Sequence, residues 1–170
     1  RHFDLAGLPE KAVPYLRRAG EQAAARFANA QAFTHYRRAL ELMPAEDIEG
    51  RYGALLAITV MHDKQGESQK RIEDILALTE VAQSSGDTLK LATAHYQRAY
   101  NEVVSSNQDA AIEYATLAAE AAAPLDDDQG LEGRARTVLG RALMIKTEHE
   151  AAKDELQKGL VLSRMAGSAV

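Results

Sequence analysis

Apolar residues return along this chain at the spacing of a helix face. Ala32, Tyr36, Ala39, Leu40 and Met43 fall on one side of a 3.6-residue helix. The same spacing recurs at Ala92, Tyr96, Ala99, Tyr100 and Val103, and again at Ala135, Val138, Leu139, Ala142 and Leu143. Shorter stripes run through Tyr52, Leu55, Leu56 and Val60, and through Ile72, Ile75 and Leu76. No convincing strand pattern interrupts them, so the pattern predicts helix almost throughout.

Breakers punctuate the stripes at two levels. Ala28-Asn29, Gly66, Asn107 and Thr147 read as short turns, whereas Pro44-Ala45, Ser85-Gly86-Asp87 and Pro124 to Gly130 divide larger units. Each unit is then a helix pair of about 40 residues, with approximate limits 1–44, 45–86, 87–126 and 127–170. The predicted helices are 10–27, 29–43, 46–65, 68–85, 88–106, 108–123, 129–146 and 149–166. Pro14 falls inside the first, which is therefore either kinked there or made of two pieces. Gly66 and Gly86 stand where a left-handed residue would close a helix. Thr147 with Glu150 has the spacing of a capping box for the last helix.

The stretch LGRALMIKTEHEAAKDELQKGL, residues 139–160, sets small residues at Gly140, Ala152 and Gly159 among bulky apolar ones. A glycine inside a helix costs about 1 kcal/mol against alanine, so these positions demand a packing reason. Two antiparallel helices can approach closely only where the side chains at the crossing are small. Gly140 is expected to face Ala152, with Leu139, Leu143 and Leu156 filling the space beside it, and Gly159 to admit the next helix.

Composition narrows the class. A chain of 170 residues is long enough to bury a core, and its sparse Gly and Pro fall mostly between the periodic segments. A formal charge of −5 argues against tracking nucleic acid by overall electrostatics. The absence of Cys removes disulfides and thiolate metal sites and fits a reducing compartment. No run of about 18 apolar residues exists to span a membrane as a helix. Arg1 leads at once into a helical pattern, which is read as a piece of a longer protein with no targeting signal.

The register of small and large residues resembles the tetratricopeptide repeat. In the fourth pair Leu139, Gly140, Leu143, Ala152, Leu156 and Gly159 fall on that family's pattern in order, with Gly in place of its last Ala. Gly20, Ala32, Tyr36, Ala39 and Pro44 fit in the first pair. The third pair, with Ala99-Tyr100 and Ala111, is expected to need one or two inserted residues around Ser105-Ser106, and the second is divergent, with Arg71 near the expected Ala. The phrases KAVPYLRRAGEQAAARFANAQAFTHYRRALEL and GRALMIKTEHEAAKDELQKGLVLSRMAG are similar to repeats of large bacterial signal-transduction ATPases, among them LuxR-type regulators and ATPase–cyclase fusions.

That resemblance implies an all-α, right-handed solenoid whose first helices line a concave surface. It places Arg98, Asn101 and Glu102 of the third pair and Arg134, Thr137, Arg141, Met144 and Ile145 of the fourth on that surface. Arg98, Arg134 and Arg141 are the expected donors to a carboxylate-bearing protein or peptide, although arginines on a helix are also the ordinary makings of a solvated face.

Other motifs dissolve on inspection. EHEAAKDE has Lys153 where a zinc-protease helix needs its second His, and His2, His35, His62 and His95 form no i, i+4 pair. PLDDDQG lacks the spacing of a calcium loop, and Asp126 to Asp128 are expected to cap the seventh helix. Tyr36, Tyr96, Tyr100 and Tyr114 are expected in core or inter-repeat packing. No phosphate loop or nucleophile elbow is present, so no catalysis and no cofactor are expected.

The expectation is a cytoplasmic, non-catalytic protein-binding scaffold that touches neither nucleic acid nor membrane and has a possible homodimer contact through exposed repeat ends. A structural or oligomerising spacer and a small-molecule sensor with a pocket between helix pairs are the alternatives.

Overall fold

The computed structural model describes residues 9–62, 68–125 and 130–167. Among them lie eight helices and no strand: α1 Pro9–Ala25, α2 Asn29–Leu42, α3 Ile48–His62, α4 Ser68–Ser85, α5 Thr88–Val104, α6 Gln108–Ala122, α7 Leu131–Ile145 and α8 His149–Gly167. Each expected helix is present, with ends moved by a few residues. The proposed closure at Gly66, the cap at Asp126 to Asp128, His2 and the His62 side chain lie outside what is described. Helix α1 is continuous through Pro14, so the two-piece alternative falls.

The chain divides into two compact units, Arg1–Ser85 and Gly86–Val170, each holding two helix pairs. The division falls at an expected breaker: Gly86 is left-handed at φ 66°, and the Asp87 carboxylate accepts the Leu89 and Lys90 N–H groups at 2.9 and 3.1 Å to start α5. In the first unit Ala23, Ala32, Tyr36, Ala39 and Met43 meet Ala54, Ile58 and Met61. In the second, Ala99, Val103, Ala111 and Ala115 of α5–α6 meet Val138, Leu139, Ala142 and Leu143 of α7, with Ala152 of α8.

Three of the pairs turn in the same way. Phe27, Ser106 and Thr147 are left-handed, at φ 59°, 60° and 65°. In each turn the next N–H reaches back five residues: Ala28 to Ala23 O, Asn107 to Glu102 O and Glu148 to Leu143 O, at 2.9, 2.9 and 3.0 Å. This is a Schellman closure followed at once by the next helix. Thr147 therefore ends α7 and does not cap α8, contrary to the capping-box reading. The third pair needs no inserted residue either: Ala99, Ala111 and Ala115 keep the spacing of Gly140, Ala152 and Leu156 and of Gly20, Ala32 and Tyr36. Thr59, Arg71 and Ile75 repeat it in the divergent second pair, and all three are buried.

The small residues have the predicted reason. A methyl group on Gly140 would lie 2.6 Å from Leu156 Cγ and 3.0 Å from Ala152 O, and one on Gly20 would meet the Tyr36 ring at 2.9 Å. Gly159 departs from expectation. It admits no further helix: a methyl there would meet Thr137 Oγ1 at 2.7 Å and Gly133 O at 2.8 Å, so this glycine closes α8 against α7 itself.

Candidate functional site

Helix α7 is gripped along one side by α8 through Gly133, Gly140, Ala152 and Gly159, and along another by the Ala99, Ala111 and Ala115 region of α5–α6. What is left over is one exposed strip carrying Arg134, Arg141, Met144 and Ile145. These four of the expected contact residues leave a helix whose backbone is held on both flanks.

The other four do not join them. Thr137 is turned into the α7–α8 seam, where its hydroxyl donates to Gly133 O at 2.8 Å and packs into the space that Gly159 leaves. Asn101 and Glu102 are buried. They occupy the register of Ala142 and Leu143, which are core positions of α7, so neither presents a contact surface. Glu102 is moreover consumed internally: Arg98 Nε donates to Oε1 at 2.5 Å and Asn107 Nδ2 to Oε2 at 3.0 Å. Arg98 is half-buried and its guanidinium lies 5.3 Å over the Tyr114 ring, so it serves the interior of the unit.

Tyr96 packs among Ala92, Ala118, Ala119, Leu131 and Ala135, which places it in inter-helix packing as expected. Its ring also carries the Arg134 guanidinium at 5.4 Å. That stack restrains the Arg134 side chain. His95 stacks on Tyr114 with ring centroids 5.9 Å apart, and burial lowers its pKa. Arg136, which sequence reading did not single out, ties the hairpin together by donating to Glu132 at 2.7 Å and to Glu155 at 2.8 Å. Lys158 completes the group at 2.6 Å from Glu155. Burial pushes the Glu155 carboxyl up, but the hydrogen bonds from Lys158 and Arg136 outweigh it and hold the pKa below its ordinary value.

The first unit holds a separate feature, a concavity of about 670 Å³ between α1, the end of α2 and the start of α3. Val13, Pro14, Leu42, Met43 and Pro44 give it apolar walls, and Arg17, Arg18, Glu21 and Asp47 supply charge. Asp47 is already engaged, accepting the Gly50 N–H at 2.9 Å. None of these residues was marked as functional by periodicity, because a wall residue and a core residue share the same spacing. Among the described residues no group of His, Cys, Asp or Glu converges as a metal site would require, and no helix is long and apolar enough to cross a membrane.

No family model and no curated protein matches the chain. A solved structure does: MamA, residues 41 to the end, from Desulfovibrio magneticus RS-1, superposes with a TM-score of 0.68 over 96% of this chain and 90% of that one. The fold is an all-α, tetratricopeptide-like solenoid. At 19% identity the likeness speaks for the fold alone.

Proposed function

We propose that this chain is a non-catalytic scaffold that holds a segment of another protein against the exposed strip of α7. The observation that carries the reading is the convergence of Arg134, Arg141, Met144 and Ile145 on one side of a helix clamped along both flanks. Two guanidinium groups offer paired donors to carboxylates, and Met144 and Ile145 add apolar contact that water would otherwise cover. A rigid backing lowers the ordering cost of binding. The resemblance of the repeats to those of bacterial regulatory ATPases supports a place as the sensor arm of such a cytoplasmic protein.

The test is capture of partners by the full-length protein carrying Arg134→Glu and Arg141→Glu. Capture should fall by ~10-fold or more and weaken with added salt in the parent protein. Undiminished capture, with circular dichroism unchanged, would sink the reading. Arg98→Glu is excluded from the test because it would set a second carboxylate beside the buried Glu102 in place of its cation.

A second reading is favoured by the concavity in the first unit, whose volume lies in the range of small-molecule sites. It makes that unit a metabolite sensor. A thermal shift with an apolar carboxylate, abolished by Leu42→Asp, would support it; no shift across a panel of such ligands would remove it.

A further inference from the structure

The concavity of the first unit is bounded by three elements: α1, the end of α2 and the start of α3. Val13, Leu42, Met43 and Pro44 make its apolar walls, and about 670 Å³ is room for a bulky small molecule. The charged groups around it specify which kind.

Arg37, Arg38, Arg98 and Arg136 are held in ion pairs by Asp74, Glu41, Glu102 and Glu132. At the concavity the pattern changes. Among the described residues, neither Arg17, Arg18 nor Glu21 is committed to an ion pair or a side-chain hydrogen bond. Acceptors are available beside these donors. Asp47 gives one carboxylate oxygen to the Gly50 N–H, and a carboxylate has capacity for further donors. Pro14 has no N–H, so the backbone carbonyl of Glu10, one turn earlier on the same face of α1, lacks its helical donor four residues on.

Arg17 and Arg18 set against Glu21 and Asp47 leave the walls with no net formal charge. A bare carboxylate would gain two guanidinium groups and meet two carboxylates in the same hollow. A ligand carrying an ammonium as well finds a partner for each end. We propose that the concavity binds an aromatic α-amino acid, its carboxylate on Arg17 and Arg18, its ammonium on Asp47 and the carbonyl freed by Pro14, and its ring against Val13, Leu42 and Met43. This rests on the metabolite-sensor reading and names its ligand class.

The chain has no Trp, so indole emission reports burial of an indole ligand directly. The probes are L-tryptophan, indole-3-propionate, which lacks the ammonium, and tryptamine, which lacks the carboxylate, each titrated against the 170-residue chain. Saturable, blue-shifted binding is expected for L-tryptophan, and each analogue should bind ~10-fold or more weakly. Arg17→Gln/Arg18→Gln should weaken tryptophan by ~10-fold and leave tryptamine within about twofold. Asp47→Asn, which keeps an oxygen for the Gly50 N–H, should weaken tryptophan and spare indole-3-propionate. Leu42→Asp should remove binding of all three, with circular dichroism checking that each variant keeps its helices. Indole-3-propionate binding as tightly as tryptophan overturns the inference and keeps the sensor reading. Tryptamine lost along with tryptophan in Arg17→Gln/Arg18→Gln overturns it too, since the arginines would then shape the wall without holding a carboxylate. No saturable binding of tryptophan ends the inference, and only the absence of any shift across the wider carboxylate panel ends the sensor reading with it.

Discussion

Gly140 and Gly53 are both helical glycines, and opposite forces act on them. A methyl on Gly53 meets nothing within 4 Å, so Gly53→Ala keeps only the gain in helix propensity and should raise stability by about 0.5–1 kcal/mol. At Gly140 the same methyl would collide with the branch point of Leu156 and with a backbone oxygen. Overpacking of that kind costs about 1–3 kcal/mol, more than the propensity gain, so Gly140→Ala should lower the urea midpoint while Gly53→Ala raises it. The turn residues supply a third case. Thr147 and Ser106 hold left-handed backbone that costs an ordinary residue about 1–2 kcal/mol. Thr147→Gly should therefore recover up to ~1 kcal/mol after the entropy lost in the unfolded chain is deducted, measured in the same urea titration.

At the scale of the element, the α7–α8 hairpin joins a dry seam of small residues to a charged clasp. Glu155 titrates below its ordinary value of 4.5 in the folded state. The stability it contributes is therefore fully present above the unfolded pKa and disappears as pH falls through the folded one. Glu155→Gln should lower the urea midpoint at neutral pH and flatten its fall below about pH 4.5, the two curves converging in acid. How much of this element was legible beforehand depends on the kind of signal. The helices and the Gly140–Ala152 crossing were, because burial of one face forces a period and close approach forces small side chains. The turns were not: left-handed closure is expected of glycine, and here Phe27, Ser106 and Thr147 perform it under the hydrogen bonds of the Schellman motif. Asn101 and Glu102 misled for a related reason, since polar residues in a helix read as surface unless their register against Ala142 and Leu143 is known. Arg134, Arg141, Met144 and Ile145 are exposed on α7 as a solvent-facing strip requires, and the exposed Leu160 was hidden among residues of the same spacing.

For the whole molecule, the division at Ser85 and Gly86 bears directly on where function resides. Among the described residues, three core clusters of Gly86–Val170 are built from α5 to α8, and the proposed contact strip lies on α7. A fragment of residues 86–170 should therefore keep its helical signal, unfold cooperatively and capture the scaffold's partner within about threefold of the whole chain. The apolar concavity belongs to Arg1–Ser85 and should have no part in that binding, so Leu42→Asp in the whole chain should leave partner capture unchanged. A fragment that folds but binds tenfold more weakly would place part of the contact outside α7–α8. A fall with Leu42→Asp would instead assign the concavity a part in the binding.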